Sequence, residues 1–156
     1  MKLYLMQHGE ALPAEENAER PLSEKGLKDV GRLAVFLARS RVKLVRVIHS
    51  GKARALATAL AMAEVIGPGR EVEQAESGLA PNDNTDQLAT VADALNEDFM
   101  VVGHLPFLGR MASRLLTGNE EAAKIAFTPG TVACLERGDD GTWSLNWVVR
   151  PELLGV

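Results

Sequence analysis

The 156-residue chain has three histidines, and two of them stand where an apolar run breaks into a polar turn. His8 closes the run Leu3-Tyr4-Leu5-Met6-Gln7, and His104 follows Met100-Val101-Val102-Gly103. A neutral imidazole can attack phosphorus and carry the phosphoryl group covalently. Arg20 and Arg54 fall in the loop regions that follow His8 and Ser50. A guanidinium fork matches phosphate oxygens. Its charge also disfavours protonation of a nearby imidazole, which keeps the nucleophile usable. An Ala-rich helix begins near Lys52, and its free N–H groups and positive dipole end add to an anion site. Two imidazoles and two arginines at successive strand ends thus point to a phosphoryl-handling pocket.

The elements that position these residues alternate between strand and helix. Residues 2–7 read as a strand, and residues 20–23 as a turn in which Ser23 caps a helix. Leu27, Val30, Leu33, Ala34 and Leu37 then recur at helical spacing. Residues 42–49 read as the second strand, 52–66 as a helix stopped by Gly67-Pro68-Gly69, and 71–75 as a weak third strand. A short helix is expected over 85–95, with Leu88, Val91, Ala92 and Leu95 on one face. The fourth strand is expected over 99–102. Pro106 falls in the first turn of the next helix, which Gly118 ends. Residues 131–136 and 143–149 read as strands joined by Gly138-Asp139-Asp140-Gly141, a hairpin turn. The pattern predicts an α/β fold: a three-layer α/β/α sandwich, with a mostly parallel sheet and an antiparallel C-terminal hairpin. In such sheets ligands bind at the carboxyl ends of the strands, where both imidazoles fall. A single domain over residues 1–156 is expected from the length.

Composition narrows the function. A net charge of −4 argues against a nucleic-acid binder. No run approaches membrane-spanning length, and the opening apolar run is too short for a targeting segment. The one cysteine, Cys134, excludes an intrachain disulfide, and the expected location is the cytoplasm. Cys134 reads as a buried strand residue. A cysteine phosphatase would need an arginine six residues on, and that position is Asp140. His49 near the other two histidines raises a metal site, but no ligand-type spacing supports one, so neither metal nor cofactor is expected. Orienting a neighbour is the role that suits His49 better. A serine-hydrolase elbow around Ser50 fails because position 48 is Ile. A P-loop fails for want of its first glycine.

The ordered set Gln7-His8-Gly9, Arg20-Pro21-Leu22-Ser23, Ser50-Gly51-Lys52-Ala53-Arg54-Ala55 with Thr58, and Gly103-His104-Leu105-Pro106 resembles the histidine phosphatase superfamily. The chain looks most similar to its minimal, SixA-type phosphohistidine phosphatases. The resemblance implies the phosphoglycerate-mutase-like fold and a metal-independent phosphatase that works through a covalent phosphohistidine. His8 would be the nucleophile. Arg54 and His104 would complete the catalytic set, with Arg20 and position 7 binding phosphate. The implied partner is a phosphoprotein, such as one carrying a histidine phosphotransfer domain. The short span over residues 76–98 leaves no room for a large lid, which agrees with a protein substrate. Glu10, Glu76 and Asp83 are candidate general acids, and an imidazole leaving group also permits none. Gln7 stands where the family carries arginine, so a charged donor is lost. A non-catalytic phosphate- or phosphoprotein-binding domain is the competing reading. The oligomeric state is not legible.

Overall fold

The computed structural model of the chain describes residues 1–155. Its centre is a six-stranded sheet. The strands are β1 (Lys2–Gln7), β2 (Arg46–His49), β3 (Glu73–Gln74), β4 (Phe99–Gly103), β5 (Val132–Arg137) and β6 (Trp143–Val149). Four α-helices accompany them: α1 (Glu24–Arg39), α2 (Ala53–Ile66), α3 (Asp86–Ala94) and α4 (Phe107–Thr117). A 3-10 turn, Pro151–Leu154, follows β6. The strand order is β3-β2-β4-β1-β5-β6. β1, β2, β3 and β4 pair in parallel, and β5 and β6 add the antiparallel hairpin.

This order decides where the helices lie. The chain steps outward from β1 to β2 to β3, then turns back to insert β4 between β2 and β1. Parallel crossovers are right-handed, so reversing direction moves the connecting helix to the other face. Strand alternation confirms the two layers. Tyr4, Met6, Met100 and Val102 pack with Val30, Leu33, Leu37, Ala59 and Met62 of α1 and α2. Leu3, Leu5, Phe99 and Val101 pack with Leu88, Ala92, Leu108 and Met111 of α3 and α4. The fold is therefore the expected α/β/α sandwich. β1 and β4 are neighbours whose outgoing connections leave on opposite faces, which opens a crevice at their carboxyl ends.

Local signals account for most boundaries. Ser23 caps α1, its hydroxyl accepting from the Gly26 N–H at 3.0 Å. Gly118 ends α4 in the left-handed conformation, φ 79°. Three expectations need correction. The second strand begins only at Arg46, because residues 42–45 are spent returning from α1: the Val42 N–H donates to Leu37 O and the Leu44 N–H to Ile66 O. Leu27 belongs to α1 but is 55% exposed. The buried stripe enters through Gly26 instead, where an added Cβ would lie 2.1 Å from the Glu10 carbonyl oxygen. That contact fixes the helix rotation and turns Leu27 outward. Pro106 is the N-cap of α4 rather than part of its first turn.

Candidate active site

Gln7, His8, Arg20, Arg54 and His104 line one cavity at the carboxyl edge of the sheet, together with Glu10, Pro81 and Pro129. Each arrives from a different piece of chain. β1 ends at Gln7, and the His8 N–H donates to Gly103 O at 3.1 Å, tying the turn after β1 to the end of β4. The Gly130 N–H donates to His8 O at 3.0 Å from the other side. The Gly9 N–H donates to Thr58 Oγ1 at 3.0 Å, and the Thr58 hydroxyl donates to Arg54 O at 2.8 Å. Thr58 thus couples the His8 turn to the helix turn that carries Arg54. Gly9 has to be glycine, because a Cβ there would sit 2.7 Å from a Val30 methyl.

The partners of His8 fix its tautomer. Nδ1 lies 2.7 Å from the Gly9 carbonyl oxygen, which can only accept, so Nδ1 carries the proton. The Arg54 Nε–H donates to His8 Nε2 at 3.3 Å, so Nε2 holds the lone pair. The atom facing the guanidinium is therefore the nucleophilic one. Burial is the main force lowering the His8 pKa below its ordinary value; the Gly9 bond opposes it, and Arg54 and Arg20 add to the lowering. The ring is neutral at neutral pH.

His104 lies beside it, with ring centroids 5.1 Å apart. Burial, then His8, Arg54, Lys52 and Arg20, push its pKa down to about 3. Its Nε2 is 2.6 Å from Ser50 Oγ. Its Nδ1 is buried and has no hydrogen-bond partner among the described residues, and neither has Gln7 Oε1. Arg20 is half-buried, with φ 48°, and its Nε donates to Leu12 O at 3.1 Å. Arg54 is half-buried, and burial followed by Arg20 lowers its pKa. Two guanidinium groups facing one cavity, with no carboxylate among the described residues bonded to either, make a site suited to an anion.

The remaining candidates separate cleanly. Glu10 lines the cavity, and its Oε2 accepts from Ser23 Oγ at 2.7 Å. Asp83 does not line it; its Oδ2 accepts from the Gly78 and Ala80 N–H groups, both at 3.0 Å, and braces the loop that presents Pro81. Glu76 is exposed and also outside the cavity. His49 accepts from the Gly51 N–H at 3.1 Å, holding the turn before α2. Gly51 has φ 95°, a left-handed conformation that favours glycine. Among the described residues no group of three or more His, Cys, Asp or Glu side chains is arranged to hold a metal ion. Sequence reasoning missed the contact of Ser50 with His104. The Ser50-x-x-x-Arg54 pattern placed Ser50 nearby, but a hydroxyl partner across the sheet leaves no spacing signal.

These neutral histidines make stability pH-dependent. Their unfolded pKa is near 6.5. Below that value the unfolded chain takes up protons that the folded chain refuses, so stability falls as pH falls. His104, with a folded value of about 3, should alone withdraw about 2 kcal/mol between pH 6.5 and 4.5. Urea unfolding at the two pH values checks this, and His104→Gln should flatten the dependence. An unchanged midpoint would mean that the ring protonates freely in the folded protein.

A cavity lined by His8 just after β1, His104 just after β4 and the two arginines is suited to an anion and lies at the carboxyl edge of a phosphoglycerate-mutase-like fold. A model of the histidine phosphatase superfamily (branch 1) matches residues 3–79, just under half of the chain. The chain is similar to the Escherichia coli (strain K12) phosphohistidine phosphatase SixA, at 25% identity over 97% of this chain and 94% of that protein. A structure of the protein histidine phosphatase SixA complexed with tungstate superposes with a TM-score of 0.87 at 25% identity, covering 99% of each chain. An Entamoeba histolytica phosphoserine phosphatase with 3-phosphoglyceric acid shares the fold alone, with a TM-score of 0.68 at 18% identity over 94% of this chain and 95% of that one. Phosphatase chemistry follows from this kinship.

Proposed function

We propose that residues 1–156 form a single-domain, metal-independent phosphohistidine phosphatase that acts on a phosphoprotein through a covalent phosphoenzyme. The observation that carries this reading is the His8 Nε2 lone pair aimed at Arg54 in a cavity with Arg20 and His104. Nε2 attacks phosphorus while the bond from phosphorus to the substrate imidazole breaks. The departing imidazole keeps that electron pair and takes a proton on either nitrogen. Water then attacks the phosphoryl group on His8, the P–N bond breaks back to Nε2, and inorganic phosphate leaves with the remaining protons shared with solvent. Arg54 and Arg20 neutralise the charge that develops on the phosphoryl oxygens. The histidine and arginines supply nucleophile and charge stabilisation, so no cation is required.

The tungstate held by the SixA structure is a tetrahedral oxyanion, and the same ligand should compete with phosphate here. The test is release of phosphate from a phosphohistidine-bearing phosphotransfer domain in excess EDTA. Turnover should persist; its loss in EDTA with recovery on zinc or manganese would transfer the chemistry to a metal. No helix among the described residues is long and apolar enough to cross a membrane, and we place the activity in the cytoplasm.

Gln7 favours the second reading, a domain that binds phosphate without turnover. Its amide offers an uncharged donor where the family has arginine. Restoring the charge with Gln7→Arg should raise kcat/KM by roughly 10- to 150-fold, the equivalent of ~1.5–3 kcal/mol for a hydrogen bond to a charged group. Phosphate binding by both proteins without turnover by either would establish the binding domain instead.

A further inference from the structure

We infer that the groove along the outer face of α1 seats a helix of the phosphoprotein substrate, one with an apolar contact stripe and acidic edges. The inference rests on the phosphoprotein reading above. The groove encloses about 1200 Å³ between α1 and the Pro151–Leu154 turn, whereas the cavity around His8 encloses about 420 Å³. Its apolar lining is unusually open: Leu153 is 70% exposed, Val35 43% and Phe36 42%, alongside the outward Leu27. Leu27, Gly31 and Val35 are spaced four apart, so they share one face of the helix.

Gly31 supplies an independent observation. Glycine weakens a helix interior relative to alanine, and a Cβ at Gly31 would meet nothing within 4 Å. No contact among the described residues calls for the gap. A second helix crossing at Gly31 would use it, because a missing side chain lets two backbones approach. α1 has 16 residues and so offers ~24 Å of track, enough for several turns of a partner helix.

Charge selects the partner. Lys25, Lys28, Arg32 and Arg39 line the groove against Glu24 and Asp29. Asp29 is already bonded by Lys25 and Arg32. Lys28 and Arg39 have no ion-pair partner among the described residues. This cationic margin sits on a chain of net charge −4, so an acidic helix is favoured over a basic one. An intervening cleft separates the groove from the cavity around His8 and shares lining residues with both. Glu10 and Pro129 line that cavity and the cleft, and Lys25 and Asp29 line both the cleft and the groove. A helix seated on α1 leads toward His8, so a phosphorylated side chain can enter while its parent helix stays outside.

The experiment compares two substrates in Gly31→Leu and in the double variant Lys28→Glu with Arg39→Glu. One substrate is a histidine phosphotransfer domain phosphorylated with phosphoramidate; the other is p-nitrophenyl phosphate. Each variant should raise KM for the phosphodomain about tenfold, the scale of one lost contact cluster. Turnover of the small ester should stay unchanged, and Gly31→Leu should melt no lower than the wild type. Unchanged kinetics on both substrates would overturn the groove assignment and leave the phosphatase standing. Equal losses on both would also overturn it, as an effect on the catalytic site. Wild-type turnover of the ester without the phosphodomain would remove the phosphoprotein substrate and the groove with it. A wild-type dimer that Gly31→Leu converts to monomer would assign the face to a second copy.

Discussion

His8→Ala should abolish phosphatase turnover, lowering kcat/KM by about 10⁴-fold or more, the scale on which enzymes lose activity with their nucleophile. The loss follows from geometry. Nε2 is the His8 atom on which the Arg54 Nε–H converges, and neither of the other two histidines can replace it. His104 faces the same cavity, but its Nε2 is engaged with Ser50 and its Nδ1 is buried. His49 has its Nδ1 on the Gly51 N–H and lies outside the cavity. The variant should keep its fold, because among the described residues the His8 side chain bonds only to Gly9 O and Arg54 Nε. Steady-state hydrolysis of p-nitrophenyl phosphate, with far-UV circular dichroism as the control, checks both halves. Residual turnover within tenfold of wild type would mean that another group attacks phosphorus.

Arg54→Ala should lower kcat/KM by about 10²- to 10³-fold, the loss expected when a donor to developing charge is removed. It should also move the pH profile. Arg54 helps hold the His8 pKa below its ordinary value, second to burial among the lowering causes. Removing it lets the imidazole protonate more readily, so the acidic limb of kcat/KM should shift to higher pH. Arg54→Lys should restore part of that limb through charge while recovering less of the rate, since ammonium lacks the planar fork. A rate loss with an unmoved limb would separate Arg54 from His8 and make it a substrate-binding residue only. Arg20 cannot substitute fully, because its Nε is already bound to Leu12 O.

The sheet was legible because its signals are local. β1 and β4 are short apolar runs ended by polar turns, and α1 and α4 carry their own caps in Ser23 and Gly118. The convergence of His8 and His104 followed from topology, since both leave the carboxyl ends of strands that the structure pairs side by side. What escaped sequence reasoning depends on three-dimensional neighbours. Leu27 has helical spacing, but the contact of Gly26 with Glu10 rotates it into solvent. Thr58 and Ser50 act through bonds to Gly9 and His104, across 49 and 54 residues of sequence. Asp83 resembled an acid in a loop, yet its carboxylate is occupied in bracing that loop.

The central claim is that phosphate passes through His8 itself. The most direct measurement is rapid acid-free quenching after mixing with phosphohistidine protein in EDTA, followed by mapping of the phosphorylated residue. A transient, acid-labile phosphoryl group on His8, present in wild type and absent in His8→Ala, is the predicted result. Phosphate release with no labelled enzyme at any time, or labelling that persists in His8→Ala, would contradict it.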